Sequence, residues 1–139
     1  MKKSVIVLFA VCLTAAAAVG LRHAAERYSP EAEPVVLATD AEREAWLNLH
    51  GWRVSAPQIS QTRIPAVWRT SVGQAWLSMQ HTQGFSPERF AGCDAVRVCY
   101  PVENAAQPEL CAELLLTADG ILVGAQVYSG ETGVMQTVL

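Results

Sequence analysis

The feature that most constrains the fold is a period-two alternation of apolar and polar residues in the C-terminal half of the chain. It covers residues 96–100, 110–116 and 121–128. Successive side chains of a strand point to opposite faces of a sheet, so this alternation predicts three strands. Their short connections predict antiparallel pairing. Between the last two strands, Asp119-Gly120 favours a type I′ hairpin, in which both residues have positive φ.

A capping box precedes the first predicted helix. In Thr39-Asp40-Ala41-Glu42, the threonine hydroxyl can accept from the amide of Glu42 while the glutamate carboxylate reaches back to the amide of Thr39. Apolar residues then recur at helical spacing as far as Gly51, which is suited to the left-handed conformation that ends many helices. Residues 52–55 alternate in polarity and predict a short strand.

A second helix is predicted from Ile64-Pro65 to about Gln83, because proline is tolerated in a first helical turn. One face of this segment is apolar, and Gly84 is its expected end. The residues of that face are Trp68, Val72, Ala75, Trp76 and Met79. The fold class that follows is α+β: two helices on a small antiparallel sheet, in the order α-β-α-β-β-β, with the helices covering one face.

The N-terminus has the pattern of an export signal. Lys2 and Lys3 precede an uncharged apolar stretch, residues 5–21, which as a helix would be roughly 25 Å long. Such a segment is typical of a cleaved secretory signal or an uncleaved membrane anchor, and residues 1–21 are assigned this role; a buried helix of a cytosolic protein is the alternative. Residues 22–38, rich in proline and glutamate, are expected to be a flexible spacer. Residues 39–139 then form one small extracytoplasmic domain, either held at the cell membrane or secreted.

Charge narrows the class of partner. Residues 22–139 contain eight arginines, no lysine and all thirteen acidic residues, which gives a formal charge of −5. This balance argues against nucleic acid and against a polybasic lipid-binding patch. The expected partner is a protein, a peptide or another envelope component. Membrane contact is expected only through residues 5–21, if that segment is uncleaved.

Three cysteines lie outside the apolar segment. If the loop between the first two predicted strands is centred near Ala105, Cys99 lies directly opposite Cys111, close enough for a disulfide. A bond between Cys93 and Cys99, or three free thiols, are the alternatives. The cysteine spacing contains no C-x-x-C pair and no nearby histidine, so neither a metal nor another cofactor is expected.

Known catalytic motifs are absent from the sequence, including G-x-S-x-G, H-E-x-x-H and a glycine-rich phosphate loop. Aromatic and amide side chains that could instead line a groove for peptide or sugar are Trp52, Gln80, Gln83, Tyr100 and Tyr128. Core packing is the alternative interpretation for the aromatic residues. His50 and His81 lie near the C-terminal ends of the predicted helices, where a structural interaction with the helix dipole is expected.

Several short blocks resemble the bacterial domain-of-unknown-function family 4830, over about residues 42–139. The blocks are Gly51-Trp52 with Val54, Ile64-Pro65, Trp76-x-x-Met79-Gln80-x-x-Gln83-Gly84-Phe85, Phe90-x-Gly92 and Val123-Gly124. The resemblance implies the same domain boundary and an N-terminal membrane segment. It implies no catalytic residues.

The function expected from the sequence is a non-catalytic extracytoplasmic binding or sensing module, tethered to the membrane or secreted. Two alternatives stay open. One is an enzyme with an unrecognised active site, for which a cleft containing His50 or His81 beside a carboxylate would be the sign. The other is a thiol-redox protein that uses Cys93, Cys99 and Cys111.

Overall fold

The structure is a computed structural model, and it describes residues 33–139. The predicted N-terminal helix and most of the spacer lie outside the described residues. Within residues 33–139, no helix has the length and apolar character needed to cross a membrane.

Two helices and five strands make up this part of the chain. Their bounds are α1 (Asp40–Leu49), β1 (Gln58–Arg63), α2 (Ser71–Thr82), β2 (Asp94–Pro101), β3 (Leu110–Thr117), β4 (Leu122–Ser129) and β5 (Met135–Gln136). A short 3-10 helix, Pro87–Phe90, precedes β2. The strands form one antiparallel sheet in the order β1-β2-β3-β4-β5. The predicted α+β class and its order of elements are confirmed, and β5 extends the sheet by one two-residue strand.

The start of α1 confirms the predicted capping box. The amide of Glu42 donates to the Thr39 hydroxyl at 3.3 Å, and the amide of Thr39 donates to the Glu42 carboxylate at 2.8 Å. The bond from the Thr39 backbone favours the ionised carboxylate and lowers the pKa of Glu42. At the other end Gly51 has a φ of 89°, the left-handed conformation expected there.

Two predicted boundaries are wrong. Residues 52–55 make only an isolated bridge, from Val54 to Val102, and the strand that follows α1 is β1. The second helix begins at Ser71 rather than at Ile64-Pro65, because the Thr70 hydroxyl caps it. The apolar spacing predicted this boundary wrongly because it counted Trp68 as helical. Trp68 lies before the helix, yet its ring stacks on the ring of Trp76, with centroids 6.3 Å apart.

The helices contribute to apolar clusters on opposite faces of the sheet, which corrects the expectation that both cover one face. Leu47 of α1 belongs to the main core with Val98, Leu114 and their neighbours on the same face. Trp76 of α2 packs against a smaller cluster on the other face. The buried members of that cluster are Ile64, Ala95, Leu115 and Val123. Side chains of adjacent residues in a strand point to opposite faces, so alternate residues of β2 and β3 divide between the clusters.

The turn between β3 and β4 is not type I′. Gly120 has a φ of 86°, but Asp119 does not have positive φ. The amide of Gly120 donates to the Thr117 carbonyl at 3.0 Å, so Ala118 and Asp119 are the central residues of the turn. Gly120 follows them in the left-handed conformation, which is the three-residue form of hairpin loop.

The register of β2 and β3 differs from the prediction by two residues. Cys99 lies opposite Glu113, and Cys111 lies opposite Pro101. The reason is a loop centred one residue later than Ala105, which moves every cross-strand partner by two positions. Cys99 and Cys111 are therefore diagonal neighbours on one face, and Cys93, Cys99 and Cys111 are free thiols in the structure.

Candidate functional site

The two edges of the sheet differ in how many of their outward backbone groups have hydrogen-bonding partners. Along β4, the chain before α1 covers one end: the amide of Leu122 donates to the Val35 carbonyl at 2.8 Å, and the amide of Leu37 donates to the Gly120 carbonyl at 2.7 Å. β5 pairs with the other end of β4. Exposed strand edges are sites of pairing with other chains, and these contacts close much of the β4 edge.

Side chains from α2 and the loop after it close the middle of the β4 edge. Gln80, which is fully buried, accepts from the amide of Ala125 at 2.9 Å and donates to its carbonyl at 3.0 Å. Gln83 donates to the same carbonyl at 2.9 Å and accepts from the amide of Val138 at 2.7 Å. The two glutamines thus take the place of a neighbouring strand.

At the opposite edge, β1 is exposed at every residue except Thr62. The amide of Ile64, directly after β1, donates to the Cys93 carbonyl at 2.9 Å, in the direction of β2. Hydrogen-bonding direction alternates along an antiparallel strand, so every second residue counted back from Ile64 is directed toward β2. The residues between them direct their backbone N–H and C=O groups outward, and we call these groups the open edge; they belong to Ile59, Gln61 and Arg63.

The open edge carries few of the features that discourage strand addition. Its six-residue register with β2 is unbroken, and the strand contains neither lysine nor proline. Arg63 donates to Asp94 at 2.9 Å, an exposed ion pair that neutralises the charge at one end. Within residues 33–139, the outward groups have no backbone partner. The open edge can therefore accept an extended segment of polypeptide.

The sheet face beside this edge carries a group of interacting polar side chains. We call Cys99, Cys111, Glu113 and Tyr128 the thiol cluster. The Cys99 Sγ lies 3.1 Å from the Tyr128 hydroxyl and 3.8 Å from Glu113 Oε2. Gln126 donates to Glu113 Oε1 at 3.1 Å, and Arg97 lies 3.4 Å from the same oxygen.

Burial shifts the ionisation of two side chains in the thiol cluster. It raises the pKa of the Cys99 thiol and the pKa of the Glu113 carboxyl, because both lose solvation when charged. The positive charge of Arg97 opposes the effect on Glu113 without cancelling it. The hydrogen bond to Cys99 is the largest cause that raises the pKa of Tyr128. The neutral thiol of Cys99 and the neutral phenol of Tyr128 are thus favoured near neutral pH.

The five residues predicted to line a groove do not lie together. Tyr100 is buried in the main core, and its hydroxyl donates to Asp40. The indole N–H of Trp52 donates to the Val138 carbonyl at 3.0 Å. Gln80 and Gln83 bind the backbone of Ala125 at the β4 edge. Of the five, only Tyr128 belongs to the thiol cluster. These contacts favour the core-packing interpretation for Trp52 and Tyr100.

The histidines sit at helix ends. His50 caps α1 at its C-terminus and packs its ring against Trp46, with centroids 4.5 Å apart. His81, in the last turn of α2, contacts Glu88 through Nε2 and Oε1 at 2.5 Å, and both side chains are substantially exposed. A pocket of about 180 Å³ near Arg43 and Gly120 contains neither histidine, and it is smaller than the roughly 300–1,000 Å³ of ordinary small-molecule sites.

Sequence reasoning allowed for an exposed sheet edge that could accept a partner strand, but it did not assign this edge to β1 and did not single out Glu113. β1 contains one large apolar residue, Ile59, so it shows no alternation. Glu113 was visible only as a polar position in an apolar strand, and its burial depends on the register. Among the described residues, no group of three or more histidine, cysteine or acidic side chains is placed to hold a metal ion. The comparisons with known proteins found no matching family model, curated protein or solved structure.

Proposed function

We propose that residues 39–139 form a non-catalytic extracytoplasmic binding module that takes an extended peptide segment of a protein partner along the open edge of β1. The observation that carries the proposal is the contrast between the two sheet edges. The β4 edge is closed by Val35, Gln80, Gln83 and β5, whereas β1 has no backbone partner on its outer side within the described residues. Strand addition is a common mode of peptide recognition.

The proposed interaction is mainly between backbones. A bound strand would exchange hydrogen bonds with the outward groups of Ile59, Gln61 and Arg63, and each bond would contribute about 0.5–1.5 kcal/mol net. Its side chains would lie beside Ile59 and Gln61 on one face and beside Gln58 and Ser60 on the other. These four neighbours are uncharged, and the charge of Arg63, on the same face as Ile59, is paired with Asp94. The edge therefore favours an uncharged partner segment.

The cellular context of the proposal comes from the N-terminal sequence. Residues 1–21 would export the chain, either as a cleaved signal or as an anchor, and residues 22–38 would separate the domain from the membrane. The resemblance to domain-of-unknown-function family 4830 supports the same arrangement. Membership of that family is likewise part of the proposal.

A proline at position 61 tests the open edge directly. Because the Gln61 amide points away from β2, Gln61→Pro removes an outward donor while the β1–β2 ladder keeps its hydrogen bonds. The matched control is Gln61→Ala, which removes the side chain and keeps the N–H. Peptides would be selected on the full-length chain in detergent micelles from a phage-displayed library of random peptides.

We expect selected peptides to bind Gln61→Pro about tenfold more weakly than Gln61→Ala, because one carbonyl of the peptide loses its donor. Amide hydrogen exchange on the unaltered chain provides a second test that does not depend on the variant. Exchange at Gln61 should be fast without peptide and protected with it. Equal binding by the two variants, or protection elsewhere than at β1, would contradict the proposal.

A further inference from the structure

The thiol cluster brings two free cysteines together on one face of adjacent strands. We propose that Cys99 and Cys111 are a reversible dithiol site, oxidised to an intramolecular disulfide by exchange with a small disulfide such as glutathione disulfide. The inference rests on residues other than the open edge, so it stands or falls separately from the proposed function.

The packing of Tyr128 places both thiols on the same face of the sheet. Tyr128 lies opposite Cys111 in the β3–β4 register, and its hydroxyl lies 3.1 Å from the Sγ of Cys99 on β2. The ring must therefore cross β3 beside Cys111 to reach Cys99. Cys111 also contributes to the raised pKa of Cys99, through charge and a side-chain hydrogen bond. Both thiols are only partly buried, so a small reagent can reach them.

The diagonal register makes the disulfide reversible. Cross-strand diagonal neighbours lie about 7–8 Å apart, with somewhat shorter β-carbon distances, whereas a relaxed disulfide needs β-carbons about 3.5–4.5 Å apart. Formation of the bond must pull β2 and β3 out of their register at Cys99 and Cys111. A strained disulfide is more easily reduced than a relaxed one. The bond would act as a redox site rather than as a permanent crosslink.

The reaction proceeds by two exchanges. The Cys111 thiolate attacks one sulfur of the external disulfide, forms a mixed disulfide and releases the first thiolate. Cys111 attacks first because Cys99 is enclosed by Tyr128 and Glu113. Cys99 then transfers its proton to the Glu113 carboxylate and attacks the Cys111 sulfur, which releases the second thiolate. Glu113 then releases this proton to solvent, and each of the two released thiolates takes up one proton. Two protein thiols are thus oxidised while one external disulfide is reduced to two thiols.

The test uses the full-length chain with Cys12→Ser and Cys93→Ser, which leaves Cys99 and Cys111 as its two thiols. After incubation with glutathione disulfide, the remaining thiols are alkylated and the intact mass is measured. We expect a monomer that has lost two hydrogens, carries no alkyl group and retains no glutathione. Excess reduced glutathione should restore both alkylation sites.

A third substitution isolates the intermediate. With Cys99→Ser added, the mixed disulfide at Cys111 has no resolving thiol, so we expect one stable glutathione adduct per chain. The proposal is overturned if both thiols stay alkylatable, if the double variant retains glutathione, or if the bond links two chains. A disulfide that resists excess reduced glutathione would also overturn it, because the bond would then be structural.

Discussion

The side-chain amide of Gln80 pairs with the backbone of Ala125 through both of its polar atoms. Its Oε1 accepts from the Ala125 amide at 2.9 Å, and its Nε2 donates to the Ala125 carbonyl at 3.0 Å. This is the pattern with which a residue of a neighbouring strand would pair. The buried glutamine therefore satisfies a strand edge that has no strand beside it, and it ties α2 to β4.

Replacement of Gln80 by leucine should be strongly destabilising. Leucine has a similar volume but leaves the buried amide of Ala125 without an acceptor, whereas the Ala125 carbonyl keeps its bond from Gln83. An unsatisfied buried group costs about 1–3 kcal/mol. We expect the free energy of unfolding to fall by about 2 kcal/mol. Urea denaturation followed by tryptophan fluorescence would measure it, since all four tryptophans lie in the domain.

Ser78→Ala is the matched control for Gln80, because Ser78 lies on the same helix and is exposed. Alanine favours helix slightly, so this variant should unfold within about 0.5 kcal/mol of the unaltered chain. A Gln80→Leu variant as stable as Ser78→Ala would show that the edge of β4 does not depend on this amide.

Gln80 also shows what sequence could and could not predict. Helical periodicity assigned the buried face of α2 to apolar residues, including Val72, which is 67% exposed, whereas the residue buried in α2 is Gln80. The polar side chain of Gln80 is buried because it pairs with the backbone of Ala125. Helical periodicity cannot predict such a partner from another part of the chain. The meander of β2 to β4 was predicted well, because each of these strands buries one apolar face against a core.

The candidate sites were harder to predict for a related reason. β1 lies at an edge and is exposed on both faces, so its sequence lacks the alternation that marked the other strands. The sequence predicted that Cys99 and Cys111 lie close together, but their register depended on which residue is at the centre of one loop. A shift of one residue there turned Cys99 and Cys111 from direct partners into diagonal ones.

Alanine substitutions at Gly120 and Gly51 separate the cost of backbone conformation from the cost of a steric clash. Both have positive φ, but a β-carbon on Gly120 would lie 2.7 Å from Ala38 Cα, whereas one on Gly51 meets nothing within 4 Å. Alanine in the left-handed conformation costs about 1–2 kcal/mol. Gly120→Ala must also displace the chain before α1, so its loss should reach about 3 kcal/mol or more.

Urea denaturation of both glycine variants would give the difference between them. Amide exchange at Leu37 should also accelerate in Gly120→Ala alone, because the Leu37 amide donates to the Gly120 carbonyl. Equal losses for the two variants would mean that the contact with Ala38 relaxes without cost.

Thr39→Ala should weaken the N-terminus of α1. The substitution removes the hydroxyl that accepts from the Glu42 amide, a loss that typically costs about 1 kcal/mol. Thr39→Ser keeps the acceptor and should remain within a few tenths of the unaltered chain in the same denaturation experiment. Equal destabilisation by serine and alanine would indicate that the methyl group of Thr39, rather than its cap, is what matters.

Glu113 should make the stability of the domain depend on pH. Burial raises the pKa of this carboxyl above its ordinary value, so the folded chain binds the proton more tightly than the unfolded chain. The stabilisation is full below the unfolded pKa of about 4.3 and is lost as pH rises through the folded pKa. Glu113→Gln lacks this loss, so its stability relative to the unaltered chain should increase as pH rises from the acid side of the transition to neutrality.

Arg97→Gln tests the same linkage from the other side. The guanidinium lowers the pKa of Glu113 against the effect of burial, so its removal should raise that pKa further and extend the loss of stability to higher pH. Urea denaturation of all three proteins across this pH range would give the profiles. Parallel profiles for Glu113→Gln and the unaltered chain would mean that the carboxylate is better solvated than its position between Cys99 and Gln126 implies.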